Sequence, residues 1–220
     1  MKYQSKIVDG HEVYFSADWI DDLEKEIHFS WYYHQADIVY SNCSRNQKML
    51  EIGIGTGLLS DLLKKRGWDI KTLDIDEKKN PDFCDSAVGF DYEKQSIQVV
   101  LAFEVFEHMS FSIFEKVIYK LDQHNVTTIY FSLPWNERRI LDLNLKIAKL
   151  PSLIWRLAIP AGRINTRTHF WELGKKEKTF GDKKLITLKS MIDIFLKNEY
   201  KISCLKRIEN IQYFSAEKTG

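Results

Sequence analysis

The feature that most constrains this chain is a short apolar strand that ends near an acid and runs directly into closely spaced glycines. The stretch from Lys48 to Gly57 reads Lys-Met-Leu-Glu-Ile-Gly-Ile-Gly-Thr-Gly, and residues 58–66 follow with a helical pattern. Glycines let the backbone turn sharply and approach a ligand closely. The helix N-terminus adds free amide groups and a partial positive charge. The stretch therefore predicts a strand–loop–helix unit that binds a nucleotide-type cofactor.

The spacing of the glycines distinguishes between cofactor classes. A dinucleotide-binding loop has the pattern Gly-x-Gly-x-x-Gly. Here the third glycine, Gly57, comes one residue early, and Leu58 stands at the expected place. The loop therefore disfavours an NAD-type oxidoreductase, which stays as an alternative.

An acid follows at the distance that nucleotide-binding units use for ribose. Residues 69–74 read as a second strand that ends in Asp74. In such units an acid about 20 residues after the first glycine accepts hydrogen bonds from ribose hydroxyls. Asp76 is the nearby alternative, but it lies past the strand end and is interpreted as a helix cap or turn acid. Asp74 is therefore the predicted ribose ligand.

Two further segments complete a recognisable series. Residues 80–86 form a short predicted third strand that ends in Asp-Ser, and residues 96–103 form a fourth that leads into Glu-Val-Phe-Glu-His. Together with the Glu-x-Gly-x-Gly-x-Gly loop, the region from Lys48 to about Pro134 resembles class I S-adenosylmethionine (AdoMet) methyltransferases, including their "EVLEH" continuation. Gln98 replaces the usual acid of the fourth strand, and only residues 77–80 remain for the second helix, which must be a single turn or absent.

The resemblance implies roles for particular residues. AdoMet would be the cofactor and S-adenosylhomocysteine the product. Glu51 would interact with the methionine ammonium, and Asp74 with the ribose. The other implied cofactor residues are Gly53, Ile54, Gly55 and Gly57 in the loop, Ile75 against the adenine face, Asp85 and Ser86 on the adenine edge, and Phe103 and Glu104 beside the methionine end.

The alternation of strands and helices predicts an α/β fold. We expect a Rossmann-like, doubly wound, mostly parallel seven-stranded sheet whose last strand is antiparallel, with a helical insertion after strand five. A single domain, 1–220, would comprise an N-terminal helical cap (1–47), the cofactor-binding half (48–134), the insertion (136–168), and a C-terminal helix with closing strands (169–220). An aromatic run at 28–34 would lie in a helix of the cap and pack largely on the sheet.

The insertion is both basic and apolar. Residues 136–168 hold seven basic and two acidic residues, a net charge of +5 against −4 for the rest of the chain. Pro151 is expected to divide the insertion into two helices. The favoured interpretation is a helical cover with its apolar face on the core. The alternative is a lid over an anionic or lipid-linked acceptor, or a peripheral membrane contact through 137–167.

Two histidines are the candidates for catalysis. Methyl transfer mainly needs alignment of the acceptor with the methyl group, and a hydroxyl acceptor also benefits from a base. His108 follows the fourth strand, and His169 lies in the stretch His-Phe-Trp-Glu-Leu-Gly, which resembles a segment near the site mouth in related methyltransferases. A structural role for each histidine is the competing interpretation. No residues with metal-ligand spacing stand out, so the sequence predicts no metal.

Composition narrows the class of protein. The net charge is +1, which gives no support for nucleic acid as a partner. Three cysteines without metal-ligand spacing, no signal-peptide pattern and no long apolar run predict a cytoplasmic protein. We therefore expect an AdoMet-dependent methyltransferase acting on a small-molecule, glycan or lipid-linked acceptor by O- or N-methylation. A non-enzymatic partner subunit with the same fold is a further alternative.

Overall fold

A computed structural model of the 220-residue chain describes residues 4–15, 25–135, 137–145, 153–160, 164, 168–176 and 185–219. The strands are β1 Gln4–Val8, β2 His11–Phe15, β3 Met49–Ile52, β4 Ile70–Asp74, β5 Phe83–Cys84, β6 Val99–Phe103, β7 Thr128–Pro134, β8 Glu137–Leu145, β9 Leu153–Pro160, β10 Lys175–Lys176, β11 Leu185–Ile186, β12 Tyr200–Ile208 and β13 Ile211–Lys218. The α-helices are α1 Glu26–Asn42, α2 Leu58–Lys65, α3 Tyr92–Gln95, α4 Phe111–Gln123 and α5 Leu188–Lys197. Short 3-10 turns lie at Glu77–Lys79 and Phe106–His108.

Seven strands form the central sheet in the order β12-β13-β7-β6-β3-β4-β5. The run from β7 to β5 is parallel, whereas β13 is antiparallel to both of its neighbours. This confirms the predicted mostly parallel seven-stranded sheet with an antiparallel last strand. The chain reverses its direction of travel across the sheet between β3 and β6, and the crevice at the carboxyl ends of such strands is where α/β sheets bind ligands.

Both faces of the sheet are buried, as the continuous apolar strands require. Along β6, Val99 and Leu101 pack with α1 and α2, while Val100 and Ala102 pack with α4 and α5. Successive side chains point to opposite faces of a strand, so this single strand contributes to both cores. The sheet edge that carries the site is therefore held from both sides.

Most predicted elements lie within a few residues of their expected bounds. The helix predicted at 58–66 is α2, and the predicted C-terminal helix is α5. The segment expected to hold one turn or no helix forms the 3-10 turn Glu77–Lys79. Within the described residues, no helix has both the length and the apolar character needed to cross a membrane.

The insertion after β7 differs from its prediction. Its described parts are strands β8 and β9, which pair as an antiparallel hairpin, so the expected pair of helices is wrong there. The apolar residues Leu141, Leu143 and Leu145 alternate with other residues, which is the period of a strand. Pro151, expected to divide two helices, lies outside the described residues.

The N-terminal cap also differs in part. Residues 26–42 form the expected helix α1, but β1 and β2 precede it as an antiparallel hairpin. The turn between them is Asp9-Gly10, with both residues at positive φ. Asp-Gly is a strong signal for a two-residue hairpin turn, and the prediction of a wholly helical cap overlooked it.

Candidate cofactor and acceptor site

The glycine loop lies against the segment that follows β6. Gly53 has φ +75°, and a Cβ built on it would meet Val105 Cγ2 at 2.5 Å. Because both the backbone conformation and the space exclude a side chain, glycine is required at this position. The contact fixes the loop beside the carboxyl end of β6.

Helix α1 reaches the same loop through an aromatic residue. The Thr56 hydroxyl donates to Tyr32 Oη at 3.1 Å, and a Cβ at Gly55 would lie 3.8 Å from that oxygen. Phe29 and Tyr33 of the same aromatic run are 50% and 66% exposed, so the run packs less fully than expected. Tyr32 was not singled out in the sequence, although the aromatic run that contains it was.

Glu51 is buried at the end of β3 with one oxygen unsatisfied. Oε2 has no hydrogen-bond partner within the described chain. Burial raises the pKa of this carboxyl to about 8, because desolvation penalises the charged form. A cationic group beside Glu51 would supply the missing partner, and the ammonium of AdoMet has the required charge.

Asp74 is buried at the carboxyl end of β4 and organises the backbone around it. Its Oδ2 accepts from the Ile54 amide at 3.1 Å and from Lys79 Nζ at 2.9 Å, and its Oδ1 accepts from the Asp76 amide at 2.9 Å. Asp76 in turn accepts from the Lys78 amide at 3.0 Å, as a capping residue does. The residue predicted to bind ribose thus lies at the carboxyl end of β4, with a lysine beside it that the sequence analysis did not identify.

The residues predicted to hold adenine lie at the neighbouring strand ends. The Ser86 amide donates to Asp85 Oδ1 at 2.7 Å, and the Ser86 hydroxyl donates to Asp9 Oδ1 at 3.1 Å. Lys6 Nζ donates to the Ile75 carbonyl at 3.0 Å. The β1–β2 hairpin therefore covers this end of the site, and the Ser86 amide is engaged by its neighbour's side chain in this state.

The end of β6 brings an acid to the centre of the edge. Phe103 is buried against Tyr213, with ring centroids 6.0 Å apart. Glu104 has φ +55°, a left-handed conformation that costs a non-glycine residue about 1 kcal/mol. Its amide donates to Ser132 Oγ at 3.0 Å, and that hydroxyl donates to Glu104 Oε1 at 2.9 Å. Burial raises the pKa of Glu104 to about 7.

The two candidate histidines meet, although they are far apart in the sequence. The rings of His108 and His169 lie edge to face with centroids 4.8 Å apart. The Phe170 amide donates to the Glu107 carbonyl at 2.7 Å, which ties the two segments together. Trp171 anchors the second segment in the core, with its ring 5.2 Å from that of Phe111.

The environments of the two histidines differ. His108 Nδ1 lies 3.2 Å from the Thr168 carbonyl oxygen, and burial lowers its pKa to about 3. His169 Nδ1 lies 2.8 Å from Oε1 of Glu172, a buried carboxyl. His108 is therefore neutral near pH 7 and a weak base. Glu107 and Glu172, which complete this group, stood within the motifs quoted for the histidines but were not selected there.

Comparison with known families places the first half of the chain. Residues 24–126 match the profile of a family described as "Methyltransferase domain". This region holds the glycine loop, the strands β3 to β6, and the acids Glu51 and Asp74 near the ends of β3 and β4. No curated protein is similar enough in sequence to count as a relative.

Solved structures share the fold over almost the whole chain at low identity. Magnesium protoporphyrin IX methyltransferase from Synechocystis PCC 6803, solved with SAM, is 11% identical with a TM-score of 0.56, covering 93% of this chain and 86% of that one. The 1,6-didemethyltoxoflavin-N1-methyltransferase of Burkholderia thailandensis, solved with 1,6-didemethyltoxoflavin and S-adenosylhomocysteine, is 10% identical with a TM-score of 0.56, covering 100% and 96%. A glycopeptide N-methyltransferase complexed with sinefungin is 9% identical with a TM-score of 0.54, covering 86% and 94%.

Proposed function

We infer that this methyltransferase-domain protein is an AdoMet-dependent enzyme that methylates a small-molecule acceptor. One observation carries the proposal. Glu51, the glycine loop and Asp74 converge at one sheet edge, and the buried Glu51 carboxyl lacks a partner for Oε2. AdoMet offers an ammonium, a ribose diol and an adenine in that order along its length, which matches the order of β3, β4 and β5.

The protein contributes binding and alignment to the reaction. Methyl transfer from a sulfonium is an in-line displacement, and holding the acceptor in line with the methyl group lowers the barrier. The Gly53–Val105 contact fixes the cofactor loop against the start of the acceptor side. We assign His108 and His169 to the acceptor side as orienting groups, because the low pKa of His108 makes it a weak base.

Solved structures of similar fold are consistent with a small-molecule acceptor. Similar structures include enzymes that carry 1,6-didemethyltoxoflavin, or act on magnesium protoporphyrin IX or a glycopeptide. The near-neutral charge of this chain gives no basis for a nucleic-acid acceptor. The function that we propose is an O- or N-methylation of a small-molecule, glycan or lipid-linked acceptor.

The β8–β9 hairpin supports a lipid-linked acceptor or contact with a membrane surface. In the register of the hairpin, Leu141 is opposite Leu157 and Leu143 is opposite Trp155, so these side chains share one face. All four are exposed, Trp155 by 68%. An exposed apolar face within a basic segment fits a lipid chain beside an anionic headgroup.

Calorimetric titration with AdoMet, S-adenosylhomocysteine and NAD tests the cofactor assignment. We expect the first two to bind with one site each and NAD not to bind. Glu51→Gln should weaken AdoMet binding, and Glu93→Gln, a change to an exposed acid on α3, serves as the matched control. Binding of NAD alone would overturn the assignment. AdoMet binding without methyl transfer to any acceptor in a screen with labelled AdoMet would favour a partner subunit.

A further inference from the structure

A cluster of potential ligands lies immediately beyond the proposed methionine end. Glu107 and His108 belong to the 3-10 turn after β6, and His169 approaches from the segment before β10. One ligand atom from each residue lies within 4.8 Å of the other two. The distance allows a single cation to contact all three after small side-chain adjustments.

The hydrogen bonds of the two histidines leave the same type of atom available. A carbonyl oxygen only accepts, so His108 Nδ1 carries a proton and donates it to Thr168 at 3.2 Å. His169 Nδ1 likewise faces the buried Glu172 carboxyl at 2.8 Å. In a neutral ring, a proton on Nδ1 leaves Nε2 with its lone pair. Metal-binding histidines characteristically donate their other ring N–H to a carbonyl or carboxylate in this way.

Glu107 supplies an independent reason for a cation. Its side chain is fully buried, and its carboxyl faces the buried carboxyl of Glu104 without a hydrogen bond of ordinary geometry to the described chain. Burying two neighbouring carboxylates in their charged form is costly unless a cation lies beside them. The charges of Glu104 and Glu172 act on the same group and increase that cost. The positive charge of Lys79 disfavours protonation of His108. The Lys79 ammonium itself donates a hydrogen bond to Asp74 Oδ2 at 2.9 Å.

We propose that Glu107, His108 and His169 form a binding site for a divalent first-row transition-metal cation. Two imidazole nitrogens and one carboxylate oxygen suit Mn²⁺, Co²⁺, Fe²⁺ or Zn²⁺ better than Mg²⁺, which prefers oxygen ligands. Three protein ligands leave coordination positions open, as in metal sites that take a substrate or water. The site goes beyond the proposed function, and its test does not depend on that function.

Metal titration of the full-length protein tests the site directly. After treatment with a chelator and its removal, the protein should bind one equivalent of Mn²⁺ or Zn²⁺ by calorimetry, and Mg²⁺ more weakly. Glu107→Gln and His169→Asn should each weaken Mn²⁺ binding by more than about 100-fold, and Glu172→Gln by about 10- to 100-fold through loss of orientation. His124→Asn is the matched control, because His124 faces an acid, Glu93, at 3.8 Å on another part of the surface.

AdoMet titration of the same variants separates the two proposals and also reports folding. Retained AdoMet affinity with lost Mn²⁺ affinity supports the metal site. If the wild-type protein binds AdoMet but takes up no metal, the metal site is overturned and the proposed function stands. The same conclusion follows if Glu107→Gln and His124→Asn bind metal with equal affinity. Metal binding without AdoMet binding would support the metal site and overturn the proposed function.

Discussion

Lys79 Nζ lies 2.9 Å from Asp74 Oδ2, at the carboxylate proposed to receive the ribose hydroxyls. Both side chains are largely buried, and Asp74 also accepts from the amides of Ile54 and Asp76. The same carboxylate thus shapes the cofactor loop and faces a cation. Ribose binding must share or displace the lysine, which links cofactor affinity to the stability of the 3-10 turn that carries Lys79.

Lys79→Met should destabilise the cofactor-free protein. Removing one partner of a buried pair leaves an uncompensated charge, and the two amide bonds that remain on Asp74 limit the loss to about 1–3 kcal/mol. Denaturant unfolding with and without AdoMet would measure it, and AdoMet should restore part of the loss. Lys65→Met, at the exposed end of α2, is the control. Equal stability of the two variants would show that the pair contributes nothing.

Asp74→Ala should lower both AdoMet affinity and stability. The change removes the proposed ribose ligand and leaves the Ile54 and Asp76 amides without their acceptor, at a cost of about 1–3 kcal/mol in unfolding free energy for each buried group. Calorimetry and denaturant unfolding on one sample would separate the two effects. A folded variant with wild-type AdoMet affinity would be incompatible with the ribose assignment.

Gly53→Ala should abolish AdoMet binding through a specific clash. The new Cβ would lie 2.5 Å from Val105 Cγ2 at a backbone angle of φ +75°. Gly67→Ala is the matched control, because Gly67 has φ +80° with nothing within 4 Å of the added atom. The clash should also lower the free energy of unfolding, and Val105→Ala in the Gly53→Ala background should recover part of that loss. A double-mutant cycle measures the coupling, and we expect about 0.5–3 kcal/mol. Strict additivity would mean that the clash is relieved elsewhere.

The stability of the cofactor-free protein should fall with rising pH through Glu51. Its pKa is raised in the folded state to about 8, so between its unfolded value and about pH 8 the folded state binds the extra proton. In that window the unfolding free energy decreases as pH rises. The variant Glu51→Gln lacks this titrating group. Its unfolding free energy minus that of the wild type should therefore increase by about 1–3 kcal/mol from pH 5 to pH 8. Parallel pH profiles of the two proteins would contradict the assignment.

The exposed face of the β8–β9 hairpin should bind lipid surfaces. The double change Leu143→Ser and Trp155→Ser removes apolar area that is solvent-exposed in the free protein. It should reduce co-sedimentation with phosphatidylglycerol-containing vesicles by about tenfold or more, since each such side chain contributes about 1–2 kcal/mol when buried. Tyr119→Ser, at an exposed aromatic position on α4, is the control. Equal sedimentation of both variants and wild type would remove the lipid-linked acceptor from consideration.

The amino-acid sequence determined the parts of this protein that depend on local pattern. Apolar strands, the helical pattern of α2, and the glycine loop followed by Asp74 predicted the sheet and its cofactor edge, because each pattern acts over a few residues. The short interval between β4 and β5 also predicted that no full helix forms there. The insertion was misassigned as helical because it is rich in leucine, and its alternation within β8 was overlooked.

Tertiary structure decided what depends on residues distant in the chain. Lys79 meets Asp74 only because the 3-10 turn folds back, and His169 reaches His108 only because Trp171 anchors its segment in the core. The sequence specifies a side chain's charge and hydrogen-bonding groups, but not its burial or its neighbours in space. Glu107 therefore looked like part of a motif in the sequence, whereas in the fold it is a buried carboxyl that faces Glu104 and lies beside two histidines.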